Sequence, residues 1–497
     1  MELGLQMEEL TCYETVGGLC VQHEESVETS IPEYCPDMAR IVDAVGQLCI
    51  REKIPSDDHL NISGDVKVTV LYTSEEVSGL RSLTLSVPFS CRMENKRLCE
   101  AECTWLQGRV LLVEAKALTS RKLYVRVMPE ITALCYVKTT QQLCKGTEEE
   151  SSLQSKQEEV SLNLLQDVAE KEFSFTQDAA LDEGMPEDIL TYRMCPKISA
   201  VQHVGSKLLV KGEMLLSALY RTEDQSLREY SGALPFSEIV DGLVLPEDAE
   251  CSVEALLCDG EVRCLRTENG GGFSISARVS LLIFGYTTRK IAYIADMYST
   301  KFDTDVQCQQ MSVPEEKAAL SIVREAETRL EFGEKDPFLY VLSLDCGPVS
   351  ITQEEGKNQL RTVWRVKLLY LDETGSPVCT ERSEELCAEV ENVCGGVRAC
   401  CWESEALFSG GVCQLRFPIA LRMRDTATVQ FTAVSCLTLS PREKCQGPSL
   451  ILRRMRPGEK LWDVAKQYQT DEALIREVNQ WDGESEIQQM LLIPKVR

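Results

Sequence analysis

The sequence predicts a mainly β protein: three tandem β-sandwich-like repeat domains followed by a small βααβ domain. Three observations carry the prediction. The first is self-similarity. GDVKVTVLY from Gly64 to Tyr72, GEMLLSALY from Gly212 to Tyr220 and TVWRVKLLY from Thr362 to Tyr370 read alike, and their closing tyrosines lie 148 and 150 residues apart. That period is domain-sized, well above the roughly 20–50 residues of solenoid repeats. The second is alternation. Val66, Val68, Val70 and Tyr72 fall on one face of an extended chain, as do Met214, Leu216, Ala218 and Tyr220, and Trp364, Val366, Leu368 and Tyr370. The third is punctuation: short strand-like runs are separated by Gly, Pro, Asp and Ser, as in all-β sandwiches.

Other landmarks recur with the strands. Pro88-Phe89 follows Tyr72 by 16 residues and Pro235-Phe236 follows Tyr220 by 15, whereas the third copy lacks both the Pro-Phe pair and the glycine. SIPEYCPDMARIVDAVG and GMPEDILTYRMCPKISAVQ both open on Pro and an acidic residue. The repeats are assigned to residues 1–138, 165–310 and 311–447, the third being the degenerate one, with the final domain at 448–497. Residues 139–164 are polar, charged and poor in aromatics, which reads as a linker. VPEEKAALSIVREAETRLEF, from Val313, has helical periodicity and reads as a bridge between the second and third repeats.

Composition bounds the function. Of 497 residues, 43% are hydrophobic, enough to bury several cores. Formal net charge is −27, which repels phosphate backbones and anionic headgroups and so argues against nucleic-acid partners and membrane insertion. The N-terminus lacks the basic start and apolar run of a signal peptide, and no stretch is long enough to span a bilayer. A protein that stays in the compartment where it is made is expected. There the 23 cysteines are mostly thiols packed as small hydrophobes.

The last fifty residues follow a different logic. A strand ends at the Pro457-Gly458 turn, and a helix follows with Leu461, Val464, Ala465 and Tyr468 at i, i+3, i+4 and i+7. Thr470 is placed to cap a second helix, with Leu474, Ile475 and Val478 as its buried stripe, and MLLIP closes the unit as a strand. Gly458 ends the first strand, so Glu459 and Lys460 project from the rim at a helix N-terminus whose N–H groups lack partners. Trp462 beside them has two readings, core residue or interface anchor.

RPGEKLWDVAKQYQTDEALIREVN, with its turn glycine Gly458, Leu461-Trp462-x-x-Ala helix and second helix ending in Asn479, resembles the LysM family. The tandem acidic β domains with G-x-x-x-x-x-x-L-Y strands resemble the SPOCS family of endospore-forming bacteria. Three such domains and one LysM domain resemble clostridial spore morphogenetic proteins. The resemblance implies a non-enzymatic mother-cell protein at the forespore surface, a coat scaffold that binds the coat's basement-layer ATPase. It places partner or glycan contacts on Gly458, Glu459, Lys460, Leu461, Trp462 and Asn479. LysM domains typically bind GlcNAc-containing glycans such as peptidoglycan, and a wall- or cortex-binding protein is the alternative. Here Gly458-Glu459-Lys460-Leu461 replaces the family's Gly-Asp-Thr-Leu, and Ile487-Gln488-Gln489 replaces Pro-Gly-Gln. Both changes alter the rim where a sugar would sit, which weakens the glycan reading and leaves protein docking untouched.

No signature of catalysis or of a cofactor accompanies these. His23, His59 and His203 sit in no motif that positions an imidazole base. Cys379, Cys387, Cys394, Cys400 and Cys401 crowd the third repeat without the Cys-x2–4-Cys knuckle that zinc favours, and no metal is expected. Asn269 to Gly272 is glycine-rich but lacks the phosphate-loop Lys, and reads as a hairpin tip.

Overall fold

A computed structural model describes residues 4–494 except 148–151, 182–183, 206, 244, 247, 268–269, 333–336, 355–356, 391–396, 402, 443–448, 457 and 482–489. Cys394, Asn269, Pro457 and the 487–489 segment therefore lie outside the described residues. The chain is mainly β, as its alternating patterns predict.

The first sheet pair contains β1 (Leu5–Gln22), β2 (Glu25–Ser30), β3 (Arg40–Pro55), β4 (His59–Thr73), β5 (Leu80–Glu94), β6 (Ala101–Thr119) and β7 (Lys122–Thr147). One sheet has the order β3-β4-β5; in the other, β7 pairs with β1, β2 and β6, all antiparallel. The second pair contains β8 (Leu153–Ala180), β9 (Pro186–Val204), β10 (Lys207–Thr222), β11 (Leu227–Asp241), β12 (Glu250–Thr267) and β13 (Gly270–Ser299), in sheets β11-β10-β9 and β12-β13-β8. The third contains β14 (Asp303–Glu331), β15 (Leu339–Cys346), β16 (Ser350–Glu354), β17 (Lys357–Leu371), β18 (Pro377–Val390), β19 (Val397–Cys401), β20 (Glu405–Ser409) and β21 (Val412–Ser440). Here β17 is flanked by β15, β16 and β18, and β21 by β14, β19 and β20.

In each pair the two sheets close over a core of their own. The first buries Val66, Val68 and Val70 of β4 against Leu123, Val125 and Val127 of β7, all 0% exposed. Tyr72, Tyr220 and Tyr370 all sit near the end of a central strand, and each is flanked on both sides, Tyr72 by Ile41 and Arg81, Tyr220 by Ile189 and Arg228, Tyr370 by Leu339 and Val378. The recurring glycine and Pro-Phe pair meet across the sheet: Gly64 opposes Phe89 and Gly212 opposes Phe236. A Cβ on Gly64 would lie 2.9 Å from Cζ of Phe89, and one on Gly212 2.9 Å from Cε1 of Phe236. The ring occupies the space the glycine leaves. In the third pair Thr362 opposes Leu386, so glycine and ring are lost together.

The leucine before each tyrosine points the other way, out of its own core. Leu71, Leu219 and Leu369 are fully buried in one shared cluster, which brings the three central strands to a common apolar axis. The long antiparallel strand pairs β1–β7, β8–β13 and β14–β21 meet likewise, with Leu143, Leu164, Tyr293, Val313 and Ala433 in one cluster. A polar hub also joins all three pairs. The Arg424 guanidinium stacks 3.9 Å from the centre of the Phe284 ring, donates to Glu254 at 2.8 Å and to the Tyr136 hydroxyl, and faces Glu316 at 3.5 Å. Arg398 reaches the other oxygen of Glu254 at 3.0 Å. Burial alone would push Glu254 up, but Arg398 and Arg424 hold it below the ordinary carboxylate range. Burial raises Glu316 despite Arg424.

Two expectations are corrected. Residues 139–147 and 153–164 are strand, not linker: Cys144, Leu162 and Leu164 are fully buried, while Ser155, Gln157, Glu159 and Ser161 alternate outward. Their polarity is that of the wet face of long strands. Residues 148–151 lie outside the described residues. The segment from Val313 is likewise strand β14, with Ala326, Thr328 and Leu330 buried at a period of two. Its Ala, Leu and Glu content imitates helix propensity, and pairing with β21 overrides it.

Candidate interaction surface

The C-terminal unit consists of β22 (Leu450–Arg454), α1 (Leu461–Tyr468), α2 (Glu472–Asn479) and β23 (Met490–Pro494), with β22 and β23 antiparallel. Leu461, Val464, Ala465, Ile475, Leu491 and Ile493 form its core. Gly458 has φ +81°, a conformation that side chains beyond glycine rarely adopt. Glu459 is tied down, accepting from the Arg456 N–H at 3.0 Å and from Arg453 at 2.7 Å, contacts that hold its carboxyl below the usual range. Lys460 is the N-cap of α1 and is exposed.

Trp462 points inward. Its ring, 9% exposed, meets Tyr298 of β13 edge-on at 4.9 Å, and its Nε1 donates to Asp296 Oδ2 at 2.8 Å. Lys466, one turn on, donates to both oxygens of Asp296 at 2.7 and 2.8 Å. A register shift between Ile294 and Asp296 marks a bulge, the device by which a strand re-aims a side chain. Burial would raise the Asp296 carboxyl, but the hydrogen bonds from Lys466 and Trp462 hold it below its ordinary range. The Tyr298 hydroxyl donates to Thr470 O at 2.8 Å and Gln469 to Asp303 at 3.0 Å, which completes the seam.

The residues expected to meet a partner therefore divide. Gly458, Glu459, Lys460, Leu461 and Trp462 are contiguous, but Leu461 is core and Trp462 anchors the unit to its own chain. Asn479 lies apart from them: its amide donates to Ile475 O and Leu492 O, both at 2.7 Å, and its Oδ1 accepts from Leu492 N at 2.8 Å, fixing α2 on β23. The cap of α2 is Asp471, accepting from Ala473 N at 2.8 Å, while Thr470 is buried and donates to Pro494 O. Of the expected stripe only Ile475 is buried; Leu474 and Val478 are exposed, because a helix lying over a two-stranded sheet buries one narrow line. Sequence reasoning missed Asp296 and Tyr298. Trp462 and Lys466 at i, i+4 share a helix face and signal a common acceptor, but nothing local says which acid supplies it.

Elsewhere, His23 contacts Glu25 and His59 contacts Asp58, and Cys379 donates to Asp43 at 2.9 Å. Among the described residues no group of three His, Cys, Asp or Glu side chains is placed to hold a metal, and no helix is long and apolar enough to cross a membrane. Family models, curated proteins and solved structures give no match to this chain.

Proposed function

We propose that this protein is a non-enzymatic scaffold of the bacterial spore coat, of the SipL-like clostridial morphogenetic kind. In this reading three tandem SPOCS-type domains form the body, and the LysM-type C-terminal unit docks to the coat's basement-layer ATPase at the forespore surface. The observation that most supports it is the clamp of Trp462 and Lys466 on Asp296. The clamp makes the small unit a fixed extension of a large rigid body, an arrangement suited to presenting a binding face. The polar groups at the rim are taken up internally by Glu459 and Asn479, which supports a protein partner over a GlcNAc glycan. Co-purification of the tagged full chain from sporulating cells tests the proposal. Recovery of the basement-layer ATPase is expected; recovery of muropeptides without it would support wall binding instead.

A further inference from the structure

We infer that the outward face of β22 and β23 is the docking surface, and that its occupant is an acidic, apolar-patterned segment of a protein partner. The inference rests on reading the C-terminal unit as a docking module. Leu450 and Leu452 on β22 are 53% and 56% exposed, and Met490 on β23 is 52% exposed. Alternation puts Leu450, Leu452 and Arg454 on one face, and the register sets Leu452 opposite Leu492 and Arg454 opposite Met490. The inward positions, Leu491 and Ile493, are already in the core. So a strand pair of five residues each carries apolar side chains on both faces, and one face is bare. Contiguous exposed apolar side chains rimmed by polar ones are the mark of an interaction site.

Charge says what covers it. Residues 449–497 carry eight basic and eight acidic residues, so the whole net charge of −27 belongs to the rest of the chain. Arg454 lies on this face and makes no ion pair among the described residues, and Arg456 follows, exposed. A second copy would bring two arginine-rimmed faces together. A bilayer of anionic lipid is an extended surface that would meet the acidic body as well as the arginines, whereas a short segment need touch only this face. An acidic protein segment satisfies both the arginines and the leucines. Among the described residues β22 pairs only with β23, which leaves its outer edge open for an added strand.

The test uses the full chain and the purified basement-layer ATPase in a surface binding assay. Leu452→Asp and Arg454→Glu should each weaken binding at least tenfold, with the Arg454→Glu loss shrinking at high salt, while Lys211→Glu at an exposed position of β10 leaves affinity within twofold. Unchanged thermal melts establish that the variants fold, and both substituted positions are exposed. If wild type binds and both face variants bind equally well, this inference is overturned and the docking reading survives. If wild type itself does not bind, the docking reading fails and the inference with it. Two further results overturn the stated occupant: Leu452→Asp converting a sedimenting dimer to monomer, or wild type floating with vesicles of phosphatidylcholine and phosphatidylglycerol.

Discussion

The indole of Trp462 and the carboxylate of Asp296, 166 positions apart in sequence, are joined by a 2.8 Å hydrogen bond that ties the C-terminal unit to the second sheet pair. Trp462→Ala should remove both the ring contact with Tyr298 and this bond, costing about 3–5 kcal/mol. Hydrogen exchange should show protection lost in α1 and α2 and retained in β4, β10 and β17.

The same pair sets a pH dependence. The folded Asp296 carboxyl sits below its ordinary value, so its contribution to docking is fully present above the unfolded value of about 3.9. It is lost as pH falls through the lower folded value. Protection of α1 should thus decline below about pH 4 in wild type, and in Asp296→Asn it should already be reduced at neutral pH, with a flatter acid limb.

Gly64→Ala and Gly212→Ala should each destabilise by about 1–3 kcal/mol, since the added methyl meets both a ring, Phe89 or Phe236, and a backbone carbonyl, that of Cys49 or Lys197. Gly64→Ala combined with Phe89→Leu should cost less than the sum, because Leu386 already faces a residue with a side chain, Thr362, in the third pair. Denaturant midpoints of the four proteins check this coupling.

Arg424→Ala leaves Glu254 and Glu316 buried around an empty position and should cost about 3–5 kcal/mol. Residues of all three sheet pairs meet at this hub, so unfolding should change from one transition to several by calorimetry. A single unshifted transition would contradict the hub's role.

What the sequence made legible was periodic. A 148–150 residue period and strand alternation located Tyr72, Tyr220 and Tyr370 on central strands, and their inward faces are the observed cores. What stayed hidden depends on contacts between distant segments. Residues 139–164 look like linker because strands such as β8 turn a polar face outward, and β14 looks helical because its partner β21 lies some hundred positions away. In the candidate site the helices and the turn at Gly458 were readable. That Trp462 would face Asp296, and that Asn479 would close α2 onto β23, could not be read, since each acceptor belongs to another element.

If the chain works by docking to a protein, it should bind the coat's basement-layer ATPase directly. Calorimetric titration of the purified full chain with the basement-layer ATPase, and separately with a GlcNAc oligomer, decides this. Saturable binding to the ATPase at micromolar affinity or tighter is expected, with no heat from the sugar. Saturable binding of the sugar with none of the ATPase would contradict it.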